Sequence, residues 1–143
     1  MFWALGKFWF VEQTSVYYSE TGEGKTRVAI PLFNNSYRYL VYYNNMFVIS
    51  GNNCFGYSYD GEEWFESEKP PVGNWSIAAY HDGVWISGNT NQNPSQGTNV
   101  AFSLNGRDWF QVPSVDSYTG YQQGQWPNFF ANKWVIPYPS SGK

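Results

Sequence analysis

The chain has 143 residues, of which 22% are aromatic and only 13% are charged, and its formal net charge is −3. This balance excludes an intrinsically disordered chain, which needs low hydrophobicity and high net charge, and it provides no basic surface for nucleic acid. The single cysteine, Cys54, excludes an intrachain disulfide and a cysteine-based metal cluster. Aromatic segments separated by glycine and asparagine turns predict an all-β fold.

The first segment, Phe2–Val11, is apolar enough to resemble a signal peptide. It has no basic residues before it, carries Lys7 in its middle and leads into Glu12-Gln13 without a small-residue cleavage site. No stretch of the chain approaches the roughly 20 apolar residues that a membrane span requires. We therefore predict a β-strand here, and neither a signal peptide nor membrane insertion.

The segments that follow predict strands A to D in each of three repeats and half of a fourth. The first repeat, about residues 1–33, has its strands at Phe2–Leu5, Lys7–Gln13, Val16–Ser19 and Thr26–Ile30. The second, about residues 34–73, has them at Tyr37–Tyr43, Met46–Ser50, Cys54–Ser58 and Glu63–Ser67. The third, about residues 74–124, has them at Trp75–His81, Val84–Ser87, Asn99–Ser103 and Asp108–Val112. The half repeat, 125–143, has strand A at Trp126–Ala131 and B at Lys133–Pro137.

Tight turns separate strands A and B. Asp82-Gly83 is a strong signal for a type I′ hairpin, and Asn44-Asn45 marks the equivalent turn in the second repeat.

One motif recurs between strands C and D. The segment Tyr57–Phe65 matches Phe102–Phe110 in an aromatic residue, Ser, Asp or Asn, Gly, Trp and Phe, and Tyr18–Gly22 is a degenerate third copy. The spacing of the copies gives a period of about 40–45 residues, which is typical of propeller blades.

These Ser-x-Asp/Asn-Gly-x-x-Trp turns resemble the Asp-box of sialidase-type (BNR) β-propellers, in the compact form seen in bacteriophage tail and fibre proteins. The resemblance implies a β-propeller of four-stranded antiparallel blades, with each box on an outer C–D hairpin away from the central channel. The side chain of the Asp or Asn accepts turn N–H bonds, the Gly supplies a positive φ, and the Trp fills the gap between blades. We therefore assign a structural role to Ser58, Asp60, Gly61, Trp64, Ser103, Asn105, Gly106 and Trp109.

Two kinds of catalytic or nucleotide chemistry are rejected on sequence grounds. Gly22–Thr26 resembles the end of a phosphate-binding loop, but the first glycine of that motif is replaced by Ser19 and no strand-loop-helix context is expected. His81 has no second histidine or cysteine at ligand spacing and precedes a hairpin turn, so that we predict neither a metal site nor a cofactor.

Sialidase activity is implied by the family but is not supported by the residues. The family's enzymes use three channel-facing arginines, a Tyr/Glu nucleophile pair and an acid/base Asp. Arg27, Arg38 and Arg107 are the only arginines in the chain, and their predicted positions do not converge. The carboxylates Glu62, Glu63, Glu66 and Glu68 show no pairing suited to glycoside hydrolysis. We therefore predict a non-catalytic protein.

Two long connections remain as candidate binding elements: Asn89–Thr98 between strands B and C, and Pro113–Gln125 before the fourth strand A. Long loops in compact domains commonly carry function. Amides and flat aromatic rings suit sugar recognition, and the candidates are Asn91, Gln92, Asn93, Gln96, Tyr118, Tyr121, Gln122, Gln123 and Trp126. The alternative is a set of polar loops without a ligand, with Trp126 in the core.

About three and a half blades fall short of the four to eight that close a ring. We expect either self-association into a ring of about six or seven blades or a longer propeller of which this chain is a part. Two functions follow as hypotheses: a virion-associated or extracellular module that binds a host-surface glycan or protein, or a purely structural decoration or assembly element. The virion location rests on the resemblance alone.

Overall fold

The structure, a computed structural model, describes residues 1–30, 37–89, 100–112, 128–130 and 133–135. All of the regular secondary structure in these ranges is β-structure, as the composition predicts. The strands form three four-stranded antiparallel sheets and one two-stranded hairpin.

Sheet I consists of β1 (Phe2–Ala4), β2 (Lys7–Glu12), β3 (Ser15–Ser19) and β4 (Thr26–Arg27). Sheet II consists of β5 (Tyr37–Tyr43), β6 (Met46–Gly51), β7 (Cys54–Ser58) and β8 (Phe65–Glu66). Sheet III consists of β9 (Trp75–His81), β10 (Val84–Asn89), β11 (Val100–Ser103) and β12 (Phe110–Gln111). The hairpin consists of β13 (Asn128–Phe130) and β14 (Lys133–Val135). Within each sheet the strands are adjacent in chain order.

Two-residue turns join the first two strands of each sheet. Asn44-Asn45 and Asp82-Gly83 have positive φ at both central residues, from 47° to 83°. This is the type I′ geometry, whose twist matches that of the strands it joins. The turn predicted at Asp82-Gly83 is therefore confirmed, and the flanking pair His81↔Val84 closes the hairpin.

The first three strands of each sheet agree with the predicted ones to within two residues at each end, and the fourth strands are shorter than predicted. The strands β5, β7 and β9 have the predicted bounds, whereas β8 is only two residues long where Glu63–Ser67 was predicted. The reason is local: the backbone N–H groups of Glu62 and Glu63 donate to the side chain of Asp60 and do not join the ladder with β7. One further bond, from Ser67 N to Phe55 O, continues the pairing after β8.

The described residues form two hydrophobic cores, and each lies between consecutive sheets. The core between sheets I and II joins Trp9 and Val16 of sheet I to Phe47 and Ile49 of sheet II, together with Trp64. The core between sheets II and III is built from Val41, Met46, Val48, Phe55, Trp75, Ala78, Trp85, Ala101 and Trp109. Sheet II thus buries both of its faces, which alternation along a strand makes possible.

Candidate functional site

The turn that carries the repeated motif in sheet II, Ser58–Trp64, is called the box of sheet II. Its side chains and backbone form a closed network of hydrogen bonds. The hydroxyl Oγ of Ser58 accepts a bond from Gly61 N at 2.8 Å and donates one to Asp60 Oδ1 at 3.2 Å. The same Asp60 oxygen accepts bonds from Glu62 N at 2.8 Å and Glu63 N at 2.9 Å. Those bonds favour the ionised carboxylate, so that the pKa of Asp60 lies below its ordinary value.

The box of sheet III repeats this network with an amide in place of the carboxylate. Ser103 Oγ accepts a bond from Gly106 N at 2.8 Å and donates to Asn105 Oδ1 at 3.1 Å. Asn105 Oδ1 accepts bonds from Arg107 N and Asp108 N, both at 2.9 Å. The acceptor oxygen, and not its charge, is therefore the feature that the two turns share.

The turn of sheet I retains only part of the network. Gly22 N donates to Ser19 Oγ at 3.0 Å, as in the other two turns, but Thr21 occupies the position of the Asp or Asn. Lys25 stands where the other boxes have tryptophan, and its ammonium pairs with Glu12 and lies 4.9 Å from the centre of the Tyr17 ring. The segment Gly22–Thr26 therefore leads from a turn into β4, which is not the context of a phosphate-binding loop.

The box tryptophans lie between sheets. The Trp109 ring stacks on Phe55 of sheet II with centroids 4.0 Å apart and planes 8° apart, and Trp64 lies in the core between sheets I and II. Each indole N–H is also satisfied within its own turn, by Gly61 O at 3.0 Å for Trp64 and by Gly106 O at 3.2 Å for Trp109. Both rings are thus used in packing.

The box glycines receive a side chain from the preceding sheet. A Cβ on Gly61 would lie 2.4 Å from the Trp9 ring, and a Cβ on Gly106 would lie 2.1 Å from Met46 Cε. A side chain at either position would displace a buried neighbour, since real Cβ atoms do not approach that closely. The sequence predicts only the turn conformation of these glycines, and their contact with the neighbouring sheet is seen in the structure alone.

Asparagine is expected to replace Asp60 without loss of stability at neutral pH. The free energy of unfolding of the Asp60→Asn variant should lie within about 0.5 kcal/mol of that of the parent at pH 7. The reason is that Asn105 accepts the equivalent pair of backbone bonds in sheet III. Urea unfolding followed by tryptophan fluorescence measures this.

The same variant separates the effect of charge from that of geometry. Since folding lowers the pKa of Asp60 below its ordinary 3.8, the carboxylate stabilises the fold above that pH and loses this effect as the pH falls through the folded-state value. The Asp60→Asn variant should therefore lose less stability than the parent between neutral pH and pH 3. An identical acid dependence in both proteins would contradict this assignment.

A cluster that the sequence does not reveal joins the buried Tyr37 and Cys54 to the partly exposed Glu66. Burial, and secondarily Glu66, raises the pKa of the Cys54 thiol to about 12, and burial raises that of the Tyr37 hydroxyl as well. The Tyr37 hydroxyl is buried and has no hydrogen-bond partner. Both groups are neutral at physiological pH, and a neutral thiol is a poor nucleophile, so this cluster is a packing feature.

The residues weighed for catalysis lie far apart in the topology. Arg27 is in β4 of sheet I, Arg38 in β5 of sheet II and Arg107 in the box turn of sheet III, and all three are exposed. His81 is the exposed last residue of β9. Among the described residues there is no group of three or more His, Cys, Asp and Glu side chains that could hold a metal ion.

The two candidate loops leave sheet III at the same end of its strands. Gly88 pairs with Val100 and Ala101 pairs with Gln111, so that the ends of β10 and β12 and the start of β11 lie together, opposite the box turn. The nine candidate binding residues lie outside the described part of the chain: Asn91, Gln92, Asn93, Gln96, Tyr118, Tyr121, Gln122, Gln123 and Trp126. Asn89, predicted to begin the first loop, is instead the buried last residue of β10.

Asparagine side chains stabilise this end of sheet III through hydrogen bonds. Asn74 N donates to Asn89 Oδ1 at 3.0 Å, and Gly73 N donates to Asn53 Oδ1 at 2.8 Å. Asn53 belongs to the turn between β6 and β7, so these bonds tie sheet II to the segment that enters sheet III. The signal in the sequence is the asparagine enrichment at strand ends, where side-chain amides replace missing backbone partners. The candidate loops therefore start from a fixed base.

The described ranges contain no helix that is long and apolar enough to cross a membrane. Comparison of the chain with models of protein families, with curated proteins and with solved structures finds no match.

Proposed function

We propose that the chain is a segment of a β-propeller and acts as a non-catalytic module that binds a host-surface glycan or protein. The observation that carries this proposal is the difference between the two ends of the strands. At one end, the side chains of the box turns form hydrogen bonds within their own turns. Both long loops leave sheet III at the other end.

The propeller arrangement is supported by the repetition of the same packing. Three sheets of equal strand order follow each other along the chain, and the box glycine of each later sheet receives a side chain from the sheet before it. Antiparallel sheets that repeat a packing step in this way are the units from which propellers are built.

The ligand class follows from the loop composition. The loops contain neutral amides and aromatic residues with few charges, and rings stack on the apolar faces of sugars while amides bond their hydroxyls. The virion location is proposed on the resemblance of the box motif alone. A sialidase-like hydrolase would need a site shared between chains, because the three arginines lie on three different sheets.

A structural role in assembly, without a small ligand, is the second candidate. It is favoured by the exposed aromatic surface of sheet I, where Trp3 is 56% exposed, since apolar patches of this kind mark interaction surfaces. Binding of the purified protein to an array of bacterial surface glycans and host glycans distinguishes the two. Binding supports the recognition module, and an array without signal supports the structural role.

Replacing residues 91–97 by a Gly-Ser linker is expected to abolish array binding and to leave the far-ultraviolet circular dichroism spectrum unchanged, because the replaced residues follow the braced end of β10. Tyr59→Ala is the matched control: Tyr59 is an exposed aromatic residue in the box turn, at the opposite edge of its sheet. Binding that survives the loop replacement, or that is lost in the control, contradicts the proposed site.

A further inference from the structure

One face of sheet I differs from the equivalent faces of the other sheets. The side chains of Trp3, Phe8, Phe10 and Tyr17 alternate with those that pack on sheet II, and we call the surface that these four residues form the outer face of sheet I. Trp3 packs edge-on against Phe8 with centroids 4.5 Å apart, and Phe10 stacks on Tyr17 at 5.7 Å. The outer face is therefore an ordered aromatic surface.

The positions equivalent to Phe8 in sheets II and III are fully buried. Phe8 is the second residue of β2, and its counterparts in β6 and β10 are Phe47 and Trp85, which are 0% and 1% exposed. Those residues are buried by the preceding sheet in the chain. Phe8 and Phe10 are only partly buried.

The space above the glycine in the box turn of sheet I is open. Trp9 and Met46 of the preceding sheet occupy the space above Gly61 and Gly106. A Cβ on Gly22 would meet only Phe8 of its own sheet, at 3.8 Å. A cavity of about 420 Å³ lies there, lined by Met1, Phe8, Phe10, Ser19, Gly22, Gly24 and Lys25. This volume is ample for a large side chain, such as the one that each of the other two turns receives.

We propose that the outer face of sheet I is a docking surface for a second copy of this chain, which packs one of its own sheets on it head-to-tail. A series of sheets that repeats one packing step has two unlike ends, and the sheet that fits one end must present the face that sheets I and II present to their successors. In a second copy the faces of sheets I and II are already covered by sheets II and III, so the docking face is that of sheet III opposite its core with sheet II. This face carries Phe102 and Phe110, and Phe110 is 56% exposed. Head-to-tail contacts of this type close rings. The proposal rests on the propeller arrangement, but it does not depend on any ligand.

The docking surface also carries a charged rim. Lys25, at the position of the box tryptophan, is half exposed and paired with Glu12. It leaves the cavity above Gly22 open. A polar rim around an aromatic centre is the usual anatomy of an association between separately folded surfaces. This contact is therefore expected to be reversible, unlike the packing between sheets I and II and between sheets II and III.

Light scattering coupled to size exclusion tests the proposal. The wild-type chain is expected to elute near twice its monomer mass of 16.5 kDa at high concentration. Trp3→Glu should raise the dimer dissociation constant at least about 10-fold, since a charge replaces an aromatic contact of the docking surface. The matched control is Tyr59→Glu, because Tyr59 is equally exposed at 53% but lies in a box turn. The control should remain dimeric.

A second measurement uses the unmodified chain and so does not depend on a variant that folds. Hydroxyl-radical footprinting should show Trp3 and Phe8 protected at high protein concentration and modified on dilution, while the modification of Tyr59 stays constant. A monomer of 16.5 kDa at all concentrations, or a dimer that Trp3→Glu leaves intact, would overturn the proposal. Glycan binding by the monomer would leave the proposed ligand site standing, so that the two proposals fail separately.

Discussion

Substitution of Gly61 by alanine is expected to lower the free energy of unfolding by about 3 kcal/mol, from backbone strain of about 1–2 kcal/mol and overpacking of about 1–3 kcal/mol. The strain arises because Gly61 has a φ of 81°, in the left-handed region. The overpacking arises because the new Cβ would lie 2.4 Å from the Trp9 ring, which is buried between sheets I and II. Urea unfolding at equilibrium measures the loss.

Gly83→Ala is the matched control for that variant. Gly83 has nearly the same φ, 83°, but a Cβ there would have no neighbour within 4 Å. Its substitution should therefore cost only the strain component, about 1–2 kcal/mol. Equal losses in the two variants would show that Gly61 serves its turn alone and would remove the role assigned to it in packing.

Substitution of Trp109 by alanine is expected to cost about 4 kcal/mol, which is typical of truncating a buried aromatic residue. The ring is 3% exposed, stacks on Phe55 of the neighbouring sheet and donates its N–H to Gly106 O. Truncation removes a contact between sheets and also opens a cavity in the core between sheets II and III. Thermal and urea unfolding followed by circular dichroism provide the measurement.

The adjacent residue, Phe110, provides the comparison. It is also aromatic but 56% exposed, and Phe110→Ala should cost less than about 1 kcal/mol. If both substitutions cost the same, the tryptophan would not be the contact between sheets that its stacking indicates.

The positions of the strands were predictable because the residues that determine them are close together in the chain. The bounds of β5 and β9 agree with the sequence because turn residues border each strand, Asn44-Asn45 and Asp82-Gly83, both with positive φ. The all-β class is predictable for the same reason. The starts of β8 and β12 were placed too early because the side chains of Asp60 and Asn105 accept bonds from Glu63 N and Asp108 N, which the strand pattern assigns to the ladder.

The contacts between sheets were not predictable, because they join residues far apart in the chain. Nothing local to Gly61 indicates Trp9, and nothing local to Gly106 indicates Met46. The role of Asn89 was hidden in the same way, since its partner at Asn74 lies on another strand end. The substitution of Lys25 for the box tryptophan was visible in the sequence, but its consequence required the cavity above Gly22. The nine loop candidates stay predictions.

The central claim is that the box glycines hold consecutive sheets together by admitting a side chain from the preceding sheet. A double-mutant cycle between Gly61 and Trp9 tests it most directly, with Gly61→Ala measured in the parent and in a Trp9→Leu background. Because leucine removes the ring atoms that the new Cβ would meet, Gly61→Ala should cost at least about 1 kcal/mol less in the Trp9→Leu background than in the parent. Additive losses, equal within about 0.5 kcal/mol, would contradict the claim.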